Sequence, residues 1–244
     1  MKKFVTYSVL WASIIVSFSQ CSKIKKTDAE YEREAWIAGF ADSIQYYKDR
    51  TEKITLTLDD LNQSIESQLQ NFENIKNPRA VEGFYILKGW SNKIPMTSTG
   101  IYARINEKEQ LELVATLAGT TFDQIEVDEK DVDYKSEVVP NDQALNFRHE
   151  RFNTVYFEGG KADTIAEFIA YNAQHKVNLK FLEGKVKKSF QIPENEKDMI
   201  RQTWDLYYSQ KEARKLQKEL WIGSKKIETF RHIMDTHENE GKSK

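Results

Sequence analysis

The chain contains a single cysteine, Cys21, among 244 residues. No internal disulfide can form and no thiolate cluster can hold a metal, so an exported form must rely on a packed core rather than on covalent staples. Four prolines and ten glycines are too few for a proline-rich or collagenous stalk. Histidine is as scarce, limited to His149, His175, His232 and His237. The last two stand five positions apart, which turns them away from a common helical face and leaves no metal motif. Neither sign of charge dominates: 36 Lys and Arg stand against 38 Asp and Glu. Lys185, Lys187 and Lys188 beside Phe190 form only a local basic patch, so nucleic acid is not an expected partner. Gly159-Gly160-Lys161 lacks the longer glycine loop and the following Ser or Thr of a phosphate site, and reads as a hairpin or strand-to-helix turn. Gly119-Thr120-Thr121 lacks dinucleotide-binding spacing, and no cofactor is expected.

One long apolar run is present. Met1-Lys2-Lys3 precedes a nearly uninterrupted hydrophobic stretch over residues 4–18, which Ser19-Gln20-Cys21 closes before the polar Ser22-Lys23-Ile24-Lys25-Lys26. The stretch is about 15 residues, against the roughly 20 that span a bilayer, which favours a processed signal. This pattern resembles the signal of bacterial lipoproteins, over residues 1–26 only. Gln20 departs from the small residue usual at its position, a variation that signals of the Bacteroidota tolerate. The resemblance implies cleavage after residue 20 and acylation of Cys21, several chains on one cysteine making a stable anchor. An ordinary secretory signal with a spare cysteine, or an uncleaved membrane helix, are the alternatives. Ser22, in place of a retention aspartate, points to the outer rather than the inner membrane. Removing Lys2 and Lys3 with the signal leaves 34 basic side chains against 38 acidic ones, a balance suited to solubility.

The mature chain reads as a lipidated tether (21–28), one α+β domain (29–235) and a flexible polar tail (236–244). Ile37, Phe40, Ile44, Tyr47, Thr51 and Ile54 recur at spacings of three and four, the stripe of an amphipathic helix. Leu61, Ile65, Leu69, Phe72 and Ile75 predict a second helix ending at Asn77-Pro78, with a turn near residues 53–57 folding the two into an N-terminal hairpin across 29–77. Alternating or apolar runs over 81–87, 99–105, 111–117, 122–127, 153–158, 177–182 and 188–192 predict strands in a β-rich centre, 81–192. A short helix carrying Ile165, Phe168 and Ile169 interrupts them, with Thr164 or Asp163 as its cap. Ile200, Trp204, Tyr207, Leu216 and Leu220 open a long C-terminal helix across 195–235, or a helix pair divided near Gly223. Without a repeated strand-helix-strand period, the fold is expected to be α+β with a mostly antiparallel central sheet, sandwich-like or partly closed.

The acidic run Glu126, Asp128, Glu129, Asp131, Asp133 and Glu137 lacks the ordered spacing and turn glycine of a calcium loop, and reads as a solvated loop. Asp142, Arg148, His149 and Glu150 are acid–base residue types whose spacing sets up no nucleophile, base and oxyanion site together. Trp90, Tyr102 and Tyr156, with Tyr207, Tyr208 and Trp221, are candidates for carbohydrate or peptide contact if they converge in a groove; core packing is the competing role for each. The expected function is a non-enzymatic envelope lipoprotein binding a protein or another envelope component, with an envelope protein or a glycan as candidate partners. An envelope-associated hydrolase and a structural spacer are the alternatives.

Overall fold

The computed structural model describes residues 27–76, 83–129, 132–140 and 145–240. The signal-like run, Cys21, the tether up to residue 26, Asn77-Pro78, Asp131 and Asp142 lie outside them. No helix among the described residues is long and apolar enough to cross a membrane.

The first and last elements of the described residues are helices far longer than those of an ordinary domain. Thr27 opens α1, Asp28–Leu69, with a capping box: its hydroxyl accepts the Glu30 amide while the Glu30 carboxylate accepts the Thr27 amide at 2.7 Å. The expected hairpin is not formed, because α1 is one helix of 42 residues. Leu58 carries the apolar repeat unbroken from Ile54 to Leu61. The Thr55 and Thr57 hydroxyls return to the carbonyls of Thr51 and Lys53, so the threonines at the expected turn are absorbed into the helix. Phe72 and Ile75, assigned from sequence to the second helix, instead belong to a strand.

The last described element is α3, Glu194–Glu240, 47 residues without a break. The two helices run antiparallel: Gln68 meets Ser209, Arg50 meets Glu219 at 3.0 Å, Phe40 meets Phe230 and Arg33 reaches the His237 carbonyl. Their covered positions keep alternating steps of four and three over many turns. Ile37, Phe40, Ile44, Tyr47, Thr51, Ile54 and Leu58 on α1 are matched by Ala213, Leu216, Leu220, Gly223, Ile227 and Phe230 on α3. That is a heptad seam, here joining two ends of one chain. Beyond Arg214, which pairs with Glu109 of the body, α3 continues for roughly 40 Å as one half of a projecting stalk. Residues 236–240, expected to be tail, extend it as helix.

Between the helices lie two open antiparallel sheets, which makes the fold α+β as expected; the sheets do not close. In chain order the strands are β1 (Phe72–Ile75), β2 (Phe84–Leu87), β3 (Gly100–Asn106), β4 (Leu111–Ala118), β5 (Gln124–Glu129), β6 (Val132–Lys135), β7 (Asn146–His149), β8 (Phe152–Glu158), β9 (Asn178–Glu183) and β10 (Lys185–Gln191), with α2 (Gly160–Tyr171) after β8. One sheet runs β1-β2-β3-β4-β8-β7 and the other β10-β9-β5-β6. The sequence left β6 and β7 unassigned, because neither carries an apolar alternation of useful length. Gly159, with φ +83°, makes the strand-to-helix turn in a backbone region where a side chain is strained. The helix after it starts earlier than the expected caps: Thr164 donates back to the Gly160 carbonyl, and Asp163 accepts the Tyr207 hydroxyl at 2.8 Å.

A single core joins the layers. Ile101, Ala103 and Ile105 register against Ala115, Leu113 and Leu111, with Val155 and Phe157 beyond them. Phe122 lies 4.9 Å from the Phe181 ring and 6.4 Å from that of Phe157, tying the four-stranded sheet to the six-stranded one. Buried asparagines fix that junction: Asn153 accepts the Phe122 amide, and Asn146 donates to the carbonyls of Phe122 and Val139. Each substitutes for ladder bonds the chain gives up as it crosses between sheets.

Gly223 explains why α3 does not stop where its propensity is weakest. A Cβ there would stand 2.7 Å from Thr51 Cγ2, so the absent side chain is what lets the helices meet. Gly223→Leu is expected to destabilise the protein by about 1–3 kcal/mol through overpacking. Gly223→Ala combined with Thr51→Ser, which removes the obstructing methyl, should stabilise it by up to about 1 kcal/mol through helix propensity. Urea unfolding of both variants checks this; equal stability of Gly223→Leu and the parent would refute close packing at this point.

Candidate binding groove

The aromatic residues singled out from the sequence do not converge. Trp90 is buried with Lys93 Nζ 4.2 Å above its ring, and Tyr102 is buried at the centre of β3. Tyr102 and Tyr156 share one sheet face, since both register with Val114, but Arg104 lies over the Tyr156 ring at 4.7 Å and also over Phe84 at 4.3 Å. Packing claims Trp90 and Tyr102 outright and half-buries Tyr156. Burial raises the hydroxyl pKa of Tyr102 and of Tyr156. Arg104 bonds Glu112, and Glu112 stands directly across from Glu158, whose carboxyl is raised by burial and then by that like charge. Neither glutamate lines any of the clefts below.

His237 packs its ring 4.4 Å from Trp36 at the tip of the stalk, His232 is exposed on α3, and Lys197 donates to the His175 carbonyl. His149 lies in β7, its side chain outside the described set. Among the described residues no three His, Cys, Asp or Glu are arranged to hold a metal ion. Part of the acidic run forms the β5–β6 hairpin instead of a loop. Glu126 within it is buried, which by itself raises its pKa, but Lys180 at 2.6 Å and Lys135 at 3.0 Å outweigh that and hold it below the usual carboxylate range.

Glu196 is the carboxyl most displaced toward neutrality, pushed up to about 7 by burial against the opposing pull of the Ile101 amide and Lys93. Such a group is a functional candidate wherever it faces a cleft. Its surroundings give it a structural task instead. Strand β2 pairs only with Ile105 and Asn106 of β3, leaving the first half of β3 as an edge. The start of α3 covers that edge: Glu196 Oε2 accepts the Ile101 amide at 3.0 Å and Met199 Sδ the Ala103 amide at 3.3 Å. Gly100 makes room, since a Cβ there would meet a Glu196 oxygen at 2.7 Å.

Two clefts border the junction of stalk and body. The larger, about 770 Å³, lies where Ile65 and Leu69 approach Asn74, Tyr85 and Asn106, closed on one side by Arg214 and Glu109. The second is an open groove of about 460 Å³ lined by Gln68, Ala170, Tyr171, Arg201, Trp204, Asp205, Tyr208 and Ser209. Here the ends of α1 and α2 meet one flank of α3. Aromatic rings do converge in it: Trp204, only 6% exposed, lies 6.0 Å from Tyr208, which is 47% exposed, and Tyr171 stands 75% exposed at the rim. Trp204 and Tyr208 are legible from sequence as an i, i+4 pair on α3. Tyr171 and Gln68 are brought there only by the tertiary fold. Trp221, the remaining exposed aromatic of the sequence set, lies on the stalk and does not line the groove.

Compared with protein-family models, curated proteins and solved structures, the chain matches none. Its geometry therefore carries the functional argument.

Glu196 yields a pH test. In the folded chain its carboxyl takes up a proton near pH 7, whereas the ordinary value is 4.5. The folded state thus binds the proton more tightly, and its stability rises as pH falls through about 7, the gain being complete below 4.5. Glu196→Gln keeps an acceptor for Ile101 and removes the buried charge. It is expected to flatten this dependence and to stabilise the protein above neutrality by on the order of 1 kcal/mol. Urea unfolding between about pH 5 and about pH 8 is the measurement; parallel profiles for parent and variant would refute the assignment.

Proposed function

We propose that the chain is a lipid-anchored protein of the cell envelope, held through Cys21 at the outer membrane, whose body is a non-catalytic binding module presented on a helical stalk to a protein or a glycan of the envelope. One observation carries this reading: the first turn of α1 lies at the tip of the stalk, beside the end of α3, while the sheets sit at the opposite end. Arg33 and Trp36 contact His237 there. Cys21 precedes Asp28 by only seven residues, so an acyl anchor on it would root the stalk at the lipid surface. Gln68 is 40 residues beyond Asp28 along one continuous helix, roughly 60 Å. The groove it lines would stand well clear of the headgroups. The spacer role considered from sequence becomes the task of the stalk, and recognition that of the body.

Mass spectrometry of the chain matured in a bacterial host tests the anchor. The expected N-terminus is acylated Cys21, and Cys21→Ala should release the chain from the membrane into the soluble fraction. A mature chain retaining residues before Cys21 would end the proposal of a lipid anchor. Pull-down with the full chain in detergent, from envelope extracts, tests the binding role; recovery of no specific partner, protein or glycan, would count against it.

A further inference from the structure

We infer that the groove between Tyr171, Trp204 and Tyr208 is a saccharide-binding site, taking a neutral pyranose chain with one sugar stacked on an exposed tyrosine ring. This deepens the binding role proposed above and rests on it.

A pyranose has a face of C–H bonds and a rim of hydroxyls. Its recognition therefore needs an aromatic plane flanked by planar polar groups with free hydrogen-bonding capacity. Both are present. Tyr208 and Tyr171 supply exposed rings, and the largely buried Trp204, 6.0 Å from Tyr208, lines the groove with them. Of the other exposed rings, Tyr31, Trp36, Tyr46 and Trp221 are spread along the stalk helices, whereas Tyr171 and Tyr208 face one concavity of the body.

The polar side is equally specific. Gln68 donates from Nε2 to Ser64 at 3.1 Å and to Ser209 at 3.4 Å, while its Oε1 is buried with no partner among the described residues. Turning the amide over transfers the deficit to the nitrogen, so one end stays unpaired in either orientation. A buried unpaired amide atom costs stability, and a turn of the Gln68 side chain toward the groove would bring that end within reach of a sugar hydroxyl, which as both donor and acceptor serves either orientation. Arg201 bridges Asp198 at 2.5 Å and Asp205 at 3.5 Å, which fixes a carboxylate acceptor and a guanidinium donor on the same wall. The two charged side chains that line the groove, Arg201 and Asp205, cancel, which suits a neutral ligand. The volume, about 460 Å³, lies within the range of small-ligand pockets.

The test is saturation-transfer NMR on the full chain in detergent micelles, with maltotetraose, cellotetraose and chitotetraose as probes. At least one should bind saturably, with a Kd of roughly 10 µM to 1 mM. Tyr208→Ala and Gln68→Leu should each weaken it at least about tenfold, Tyr208→Phe should retain it through the ring face, and Trp221→Ala, on the stalk, should leave it unchanged. Circular dichroism of each variant establishes that the fold persists. Transfer from none of the three saccharides, or undiminished binding in both Tyr208→Ala and Gln68→Leu, overturns the proposal. So does binding of a proline-rich peptide with no saccharide bound. A pulled-down partner insensitive to Tyr208→Ala, together with silent saccharides, would remove the sugar site and leave the anchored binding module standing. Saccharide binding by a chain with an unprocessed N-terminus would do the reverse.

Discussion

The architecture depends on the heptad seam between α1 and α3. Taken alone, each helix is a polar cylinder with a narrow apolar stripe, and such a helix is marginal in water until that stripe is covered. Neither sheet reaches far enough along the stalk to cover it; each helix needs the other. The pairing closes nearly the whole chain, since Arg33 meets His237. Loop-closure entropy grows only logarithmically with length, so a contact across some two hundred residues is sustained by repetition of ordinary seam contacts rather than by any single strong one. The same seam places Gln68 beside Ser209, which forms a wall of the groove, and it sets how α3 enters the body.

A second constraint acts where α3 begins. The exposed half of β3 would otherwise present unpaired amides, a template for association with other chains. Glu196 and Met199 accept two of those amides, so the helix does the work of a missing strand. A carboxylate in the first turn also suits the positive end of the helix dipole. Orientation of the stalk and protection of the sheet edge are thus one packing decision, and the buried charge of Glu196 is its cost.

Much of this was legible in the residues. Alternation located most strands, and the stripes from Ile37 and from Ile200 marked both ends as helical. What eluded the sequence has identifiable causes. Leu58 bridges the two stripes of α1, but the threonines around it argue locally for a turn, and tertiary contact with α3 overrides them. Gly223 reads as a weak point until Thr51 is seen against it. Strands β6 and β7 are too short and polar for periodicity to find; each is held as the outer arm of a hairpin, β6 on β5 and β7 on β8. The groove was half visible. Tyr208 was a candidate, while Trp90 and Tyr102 satisfied the same compositional criterion and went into the core. Sequence gives residue type but not which side of a packed layer an aromatic ring will face.

The start of α1 and the end of α3 lie at one tip of the stalk, and this has a mechanical consequence. Tension between a lipid at Cys21 and a ligand held in the groove would pull α1 along its own axis, sliding it past α3. Every rung of the seam then bears load at once. Tension applied between the two termini would instead peel the helices apart one rung at a time from the tip. The paired helices are built to resist the first direction and to yield to the second.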